Sequence, residues 1–160
     1  MTLLRALAVL VTFLFAAAPA AAQQRPGTYS SNEVLDAGHR FFGTVSRDLA
    51  MVIEKSFSKW GEPNGYILGQ TAGGAFIGGV RIGEGTLYTQ NAGTLPVHWI
   101  GPSIGFDVGG DASQTMMLVY NLPSVEAVYQ RFFGVSGSAF LVGGIGMTVL
   151  TNNNITVVPI

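Results

Sequence analysis

The first regular pattern in the chain is a helical repeat of apolar residues over residues 33–60. Gly38 and Gly43 weaken the repeat near its start. The pattern therefore fits two helices, over 33–42 and 45–59, as well as one kinked helix. Most spacings between the apolar residues of this zone are three, four or seven residues, which is typical of an amphipathic α-helix. The apolar positions are Val34, Leu35, Phe41, Phe42, Val45, Leu49, Val52, Ile53, Phe57 and Trp60.

Both ends of the helical zone carry their own signals. Ser30 is followed three positions later by Glu33, which matches a capping box at a helix start. Residues 61–65 contain two glycines, a proline and an asparagine, which are strong helix breakers. The helical zone is therefore predicted to begin just after Ser30 and to end before residue 61.

From residue 65 to 160 the pattern changes to short β-rich segments separated by glycine. Segments spaced about ten residues apart are typical of an antiparallel sandwich or barrel. The predicted fold is thus mainly β, a small glycine-rich antiparallel β-barrel or sandwich behind an amphipathic helical segment. The predicted strands are 66–69, 75–80, 86–89, 97–100, 104–108, 115–121, 139–142, 147–150 and 155–158.

One short helix is predicted near 124–133, within the β-rich zone. Pro123 and Ser124 form its start, and Gly134 is expected to end it. Its apolar face would carry Val125, Val128, Tyr129 and Phe132.

Glycine pairs and an asparagine run predict turns between the strands. Asparagine tolerates left-handed backbone, so Asn152–Asn154 is interpreted as a hairpin turn. A loose echo places glycine pairs at 78–79, 109–110 and 143–144. The sequence between these pairs does not repeat, so we interpret them as corners of strongly coiled strands.

The apolar stripe of the helical zone is predicted to pack on the β structure as a cover. Burial of each large apolar side chain contributes about 1.5–3 kcal/mol, so the whole stripe is too large to leave in water. A membrane-surface helix would need a polar face rich in Lys and Arg. Here the basic residues are offset by acidic ones. The basic residues are Arg40, Arg47, Lys55 and Lys59, and acidic residues that offset them include Asp36, Asp48 and Glu54. If Phe57 is fully buried, its replacement by alanine should cost about 3–5 kcal/mol.

The N-terminus has the pattern of a secretory signal peptide over residues 1–22. Arg5 supplies the positive charge, an apolar run follows over 6–18, and three alanines end at Ala22. Cleavage is predicted after Ala22, leaving a leader over 23–32 and a single domain over 33–160. The apolar run is short of the roughly 20 residues of a membrane span. We expect a periplasmic protein with no integral membrane span in the mature chain.

Composition excludes several kinds of chemistry. The 160 residues include no cysteine and two histidines, which excludes disulfides, thiol nucleophiles and multi-histidine metal centres. Charged residues make up 11% of the chain, with 8 basic and 9 acidic side chains. The basic residues are scattered, so no nucleic-acid partner is expected. No phosphate-binding glycine motif is present, so no cofactor is predicted.

The candidate chemical residues are few and separate. His39 lies in the helical zone, and His98 alternates with apolar neighbours in a predicted strand. Asp107 and Asp111 flank residues 108–110, but they fall short of the six to eight oxygen ligands that calcium takes. No catalytic or metal-binding residue is therefore assigned, and ligand-binding residues stay unknown. The alternative hypothesis is a hydrolase that uses Asp107, Asp111 or His98.

The chain carries six distinctive segments, at 36–43, 64–69, 83–88, 101–107, 116–122 and 157–160. Together they resemble the envelope integrity protein A family of exported Gram-negative proteins, a domain of unknown function. The similarity implies a small periplasmic β-barrel that supports envelope integrity and stress resistance, without established enzymatic activity. Members usually continue past the position of residues 157–160, so one expectation is a C-terminally truncated chain that lacks a closing strand.

A more distant resemblance is to the SYLF domain, through residues 74–79, 83–85 and 104–110. That domain is implicated in lipid binding, which is the one property that could transfer to a bacterial envelope. The shared positions look like strand corners, so no lipid-site residue carries over.

Three functional hypotheses follow. The first is a non-enzymatic periplasmic factor that supports the envelope by binding a lipid or another envelope component. The alternative is a periplasmic hydrolase that acts on an envelope polymer. The third, an integral outer-membrane barrel, is disfavoured because most predicted strands are shorter than the 9–11 residues of a spanning strand. The oligomeric state is left open.

Overall fold

The computed structural model describes residues 26–73, 80–102, 113–142 and 145–160. The predicted signal peptide, the strand predicted at 104–108, most of that at 75–80, and the three glycine pairs lie outside these residues. The described elements are α1 (Ser31–Phe42), α2 (Arg47–Trp60), β1 (Gly65–Gly73), β2 (Val80–Tyr88), β3 (Thr94–Pro102), β4 (Ser113–Tyr120), a 3₁₀ turn (Val125–Val128), β5 (Phe133–Val142), β6 (Ile145–Asn152) and β7 (Ile155–Pro159).

The helical zone consists of two helices. At the start of α1, Ser30 Oγ accepts a hydrogen bond from the Glu33 backbone N–H at 3.3 Å, and the Glu33 carboxylate accepts one from the Ser30 N–H at 2.7 Å. The predicted capping box is therefore confirmed. Gly43 ends α1 with a left-handed φ of 80°, and Ser46 caps α2 through the Leu49 N–H at 3.1 Å. A left-handed glycine followed by a new cap separates the two helices.

The described strands form one seven-stranded antiparallel sheet in the order β3-β2-β1-β4-β7-β6-β5. This confirms the mainly β, antiparallel fold class. β1 and β4 lie side by side although a whole hairpin separates them in the chain, and β7 returns to pair with β4. The sheet therefore depends on contacts between residues far apart in sequence.

The segment predicted as a helix near 124–133 is shorter than expected. It forms one 3₁₀ turn over Val125–Val128, and β5 begins at Phe133, so Gly134 lies in a strand and ends no helix. The apolar side chains of this segment pack against the sheet, and the Tyr129 hydroxyl donates to the Pro96 carbonyl at 2.6 Å. These tertiary contacts hold the segment in a compact turn.

The two helices cover one side of the sheet, which we call the helix face. Fully buried Val34 of α1 and Val52 and Ile53 of α2 form one cluster with sheet residues of this face. The predicted packing of the amphipathic stripe on the β structure is therefore confirmed. The sheet residues of this cluster are Met116, Leu118, Tyr120, Val149 and Val158.

The other side of the sheet, the opposite face, has its own core. Side chains alternate along β4, so Met116 lies on the helix face while Met117 and Val119 lie on the opposite face. The 3₁₀ segment covers part of this second cluster, and Trp99 packs at its edge. Its buried residues are Ile67, Leu87, Val97, Met117, Val119, Leu122, Ile155 and Val157. β4 is thus buried on both sides along most of its length.

The condition attached to the Phe57 expectation, full burial of the ring, is not met in the structure. The Phe57 ring is only partly buried, whereas Ile53 is fully buried in the same cluster. We expect Ile53→Ala to lower the free energy of unfolding by about 2–3 kcal/mol and Phe57→Ala by about 1–2 kcal/mol, because a partly buried ring loses less on truncation than a fully buried side chain. Urea unfolding followed by circular dichroism measures both. A larger loss for Phe57→Ala would contradict this ranking.

Candidate functional site

The two histidines lie apart from any catalytic arrangement in the described residues. His98 lies on β3 with a side chain that is 75% exposed, and its Nε2 is 3.9 Å from the Glu84 carboxylate on β2. Glu84 is the cross-strand neighbour of His98, and its side chain is 80% exposed. Such an exposed pair contributes little to stability. His39 is exposed in the last turn of α1.

The carboxylates considered for a metal or hydrolase site, Asp107 and Asp111, lie outside the described residues. Within residues 26–73, 80–102, 113–142 and 145–160, no cluster of three His, Cys, Asp or Glu side chains is placed to hold a metal ion. The candidate residues that the structure does place, His39 and His98, are on different elements.

Several buried or partly buried polar side chains form hydrogen bonds within the fold. Trp99 Nε1 donates to the Thr71 hydroxyl at 3.2 Å, and that hydroxyl lies 2.7 Å from the Thr115 hydroxyl. Asn64, almost fully buried, bridges the backbone of Leu122 with two hydrogen bonds. Each group is paired within the protein, as buried polar groups generally are.

The described surface also has a concave region at the ends of β4, β6 and β7. Here the protein surface forms an open groove of about 760 Å³. The groove is lined by amide and hydroxyl side chains with one proline, and none of the lining side chains is charged. The lining residues are Asn121, Pro123, Thr151, Asn153, Asn154 and Thr156.

The wall of the groove formed by β6 and β7 is set by a tight hairpin. Asn152 pairs with Ile155, and Asn153 and Asn154 form the two-residue turn with left-handed φ values of 47° and 68°. Asparagine is one of the few residues that adopts this backbone readily. The hairpin turn predicted from the asparagine run is confirmed.

The second wall follows β4. Asn121 also has a left-handed φ, 59°, and its side-chain N–H donates to the Asn154 carbonyl at 3.2 Å. This hydrogen bond ties the end of β4 to the hairpin tip. The walls are thus held by the sheet and by a direct contact between them.

A row of side chains crosses the helix face at the groove. Tyr120 on β4 is paired with Thr156 on β7. Thr156 is paired in turn with Thr151 on β6, and Thr151 is paired with Phe133 on β5. Directly opposed residues of antiparallel strands share a face, with Cβ atoms about 5 Å apart. Phe133 is 58% exposed, so an aromatic ring stands in line with the two threonines.

The sequence indicated the asparagine turn but not the groove. Thr151, Thr156 and Asn121 come together through the β4–β7 and β6–β7 pairings. About thirty residues separate Asn121 from the hairpin, and no local pattern predicts that β4 pairs with β7. One local signal is the position of Thr156 between Ile155 and Val157, because alternation along β7 places its hydroxyl on the other face from those two side chains.

Tyr120, at the inner end of the row, has a hydroxyl that is buried with no hydrogen-bond partner among the described residues. Its ring lies 6.1 Å from that of Trp60. Burial raises the pKa of Tyr120 above its ordinary value, because desolvation disfavours the phenolate. The same cause, with smaller contributions from Tyr66 and Glu33, raises the pKa of Tyr29 to about 12.

We expect Tyr120→Phe to leave the free energy of unfolding unchanged or raise it by up to about 1 kcal/mol, because the lost hydroxyl is unpaired. The raised pKa gives a second effect. The stability from an un-ionised phenol is complete below the ordinary tyrosine pKa of about 10 and is lost as pH rises through the folded value. The variant should therefore lose less stability in alkali than the parent. Urea midpoints at neutral and alkaline pH measure this, and a clear loss at neutral pH would contradict it.

Neither helix in the described part of the chain is long and apolar enough to cross a membrane.

The comparisons with known proteins agree with this architecture. A crystal structure from Brucella abortus, described as a beta-barrel-like, uncharacterized protein, is 53% identical in sequence with a TM-score of 0.74, covering 82% of each chain. No curated protein matches. The model of the envelope integrity protein A family matches residues 27–160, which include both helices, the whole described sheet and the groove. With that match, the chain belongs to the envelope integrity protein A family.

Proposed function

We propose that this protein is exported to the periplasm and supports the cell envelope by binding an envelope component, without catalysing a reaction. The family name supports the envelope role. The observation that carries the binding role is the open groove, with amide and hydroxyl side chains on two walls held by the sheet. Amide and hydroxyl groups can donate and accept hydrogen bonds with a ligand, and none of them titrates near neutral pH. The groove therefore provides recognition and no general acid or base.

Export is supported by the signal-peptide pattern of residues 1–22. We expect the periplasmic fraction of expressing cells to contain a chain that begins at Gln23. Mass spectrometry of the N-terminal peptide measures this. An intact N-terminus on membrane-bound or cytoplasmic protein would contradict both the cleavage and the location.

The packing of the sheet favours a ligand on the surface over a lipid enclosed by the strands. The 3₁₀ segment and Trp99 occupy part of the opposite face, and α1 and α2 occupy the helix face. Small barrels are often filled by their own side chains in this way. Native mass spectrometry of protein purified from the envelope separates the two cases, because an enclosed lipid would remain as a constant added mass.

The test of the non-catalytic role is complementation. A strain lacking the gene should become sensitive to detergent, and expression of the full chain should restore resistance. The triple variant His98→Ala, Asp107→Asn, Asp111→Asn should restore it as well as the parent at equal abundance, because the proposed role uses none of these groups. Failure of the triple variant at normal abundance would instead support a hydrolase, and an insensitive deletion strain would contradict the envelope role.

A further inference from the structure

We infer that the groove at the ends of β4, β6 and β7 is a binding site for an uncharged saccharide chain. The inference rests on the proposed binding role and names the class of ligand. It depends on three features of the described residues: the chemistry of the lining, the rigidity of the walls, and the exposed aromatic ring beside them.

The lining matches a ligand that carries many hydroxyl groups. A carboxamide offers two N–H donors and an oxygen acceptor, and a threonine hydroxyl both donates and accepts. Sugar hydroxyls have the same double character, so each can pair with either group. An anionic ligand is instead recognised by Arg or Lys through charge-assisted hydrogen bonds, and none of the lining side chains is charged. Thus the lining favours a neutral polyhydroxyl ligand.

The hydrogen bond between the two walls leaves most donors and acceptors of the groove's side chains available to a ligand. It uses the amide nitrogen of Asn121 and the backbone oxygen of Asn154. The side chains of Asn153 and Asn154 are exposed at the hairpin tip, and the structure gives them no hydrogen bond within the described chain. Because the turn fixes the backbone of both residues, their amides are displayed from a rigid base, which lowers the entropic cost of binding.

The exposed ring supplies the apolar part of sugar recognition. The ring faces of a sugar present C–H groups, which carry partial positive charge and pack on the negative face of an aromatic ring. Phe133 lies on the same face as Thr151, directly across from it on β5, and is 58% exposed. The Cβ atoms of such a pair are about 5 Å apart, so one sugar unit can contact both side chains. A phenylalanine beside a row of hydroxyls therefore suits a saccharide better than a purely polar solute.

The binding experiment uses the full mature chain and an array of neutral oligosaccharides, followed by titration of each hit with ¹⁵N NMR. We expect weak, saturable binding that shifts the side-chain amide signals of Asn121, Asn153 and Asn154. The double variant Thr151→Val, Thr156→Val keeps the β-branched shape and removes both hydroxyls, so its Kd should rise at least about tenfold. Phe133→Thr should weaken binding by a similar factor. Thr86→Val, a partly buried threonine on the helix face of β2, is the matched control and should bind as the parent does.

Three results would overturn the inference: no oligosaccharide binds, the amide shifts fall elsewhere, or the threonine double variant binds as tightly as the parent. Selective binding of anionic vesicles or of phosphate in parallel titrations would also overturn it, in favour of a charged ligand. Circular dichroism of each variant shows that the fold is retained. These results are separate from complementation, because a protein that restores detergent resistance but binds no saccharide contradicts only this inference. A saccharide-binding protein whose deletion leaves the envelope intact contradicts only the proposed function.

Discussion

Gly85→Ala is expected to lower the free energy of unfolding by more than about 3 kcal/mol, at or above the upper end for overpacked sites. Gly69 on β1 and Gly85 on β2 are directly paired on neighbouring strands. A Cβ on Gly85 would overlap the Leu68 carbonyl oxygen and would lie 2.8 Å from the Gly69 Cα. These are backbone atoms, so the clash is relieved only by separating β1 from β2. Gly69→Ala should be equally damaging, since its Cβ would overlap the Glu84 carbonyl oxygen.

The chain offers two controls for this prediction. Gly101→Ala on β3 places its Cβ in open space and should change stability little. Gly83→Ala would overlap the indole of Trp99, which is a side chain, so Trp99→Leu should partly rescue it. No such rescue is expected for Gly85→Ala. Urea unfolding of the four glycine variants, and of Gly83→Ala and Gly85→Ala each combined with Trp99→Leu, measures these effects. A wild-type midpoint for Gly85→Ala would show that the strands are further apart than described.

The glycine content predicted coiled strands but not the partners of each glycine. In the sequence, Gly83 and Gly85 stand out only as part of a segment that resembles the family. In the structure they allow Trp99 and the backbone of β1 to come close to β2. That role depends on the register between three strands, and register is set by pairing across the whole sheet. A local sequence pattern does not show which neighbouring backbone lies so close to a glycine that a Cβ atom would clash with it.

The helical zone was more predictable because its signals are local. The capping box and the apolar period lie within a few residues of the structure they specify. Even there, periodicity gave the buried side of the helices but not the depth of burial. Ile53 is fully buried and Phe57 only partly, although both belong to the same stripe. Depth depends on the opposing surface of the sheet, which the helix sequence does not contain.

The proposed binding groove was least predictable for the same reason. Residue types pointed to His98, Asp107 and Asp111, because these are the side chains that support catalysis. The groove is instead made of asparagine and threonine, whose ordinary role in turns and strands hides any role in binding. Only the pairing of β4 with β7 and of β6 with β5 brings the amides, hydroxyls and Phe133 onto one surface.

Asn64→Ala is expected to cost about 4 kcal/mol, a large part of the 5–15 kcal/mol of a typical domain. The Asn64 side chain donates to the Leu122 carbonyl at 2.8 Å and accepts from the Leu122 N–H at 3.0 Å. Both residues are buried, so alanine leaves a donor and an acceptor without partners. Each unsatisfied group costs about 1–3 kcal/mol. The bridge holds the start of β1 to the segment after β4, so its loss should also expose the 3₁₀ turn to hydrogen exchange.

Asn64→Asp gives the sharper test, because it keeps the shape and changes only the hydrogen-bonding capacity. The ionised carboxylate accepts from the Leu122 N–H but repels the Leu122 carbonyl, whereas the protonated acid can donate to that carbonyl. Burial and this repulsion should raise the pKa of the new carboxyl above its unfolded value of about 4. Its contribution to stability is then present below that pH and lost as pH rises through the folded pKa. The variant should therefore come closest to the parent in acid and fall furthest below it at neutral pH, measured as the difference in urea midpoint. A difference independent of pH would mean that the Asn64 side chain does not donate to Leu122.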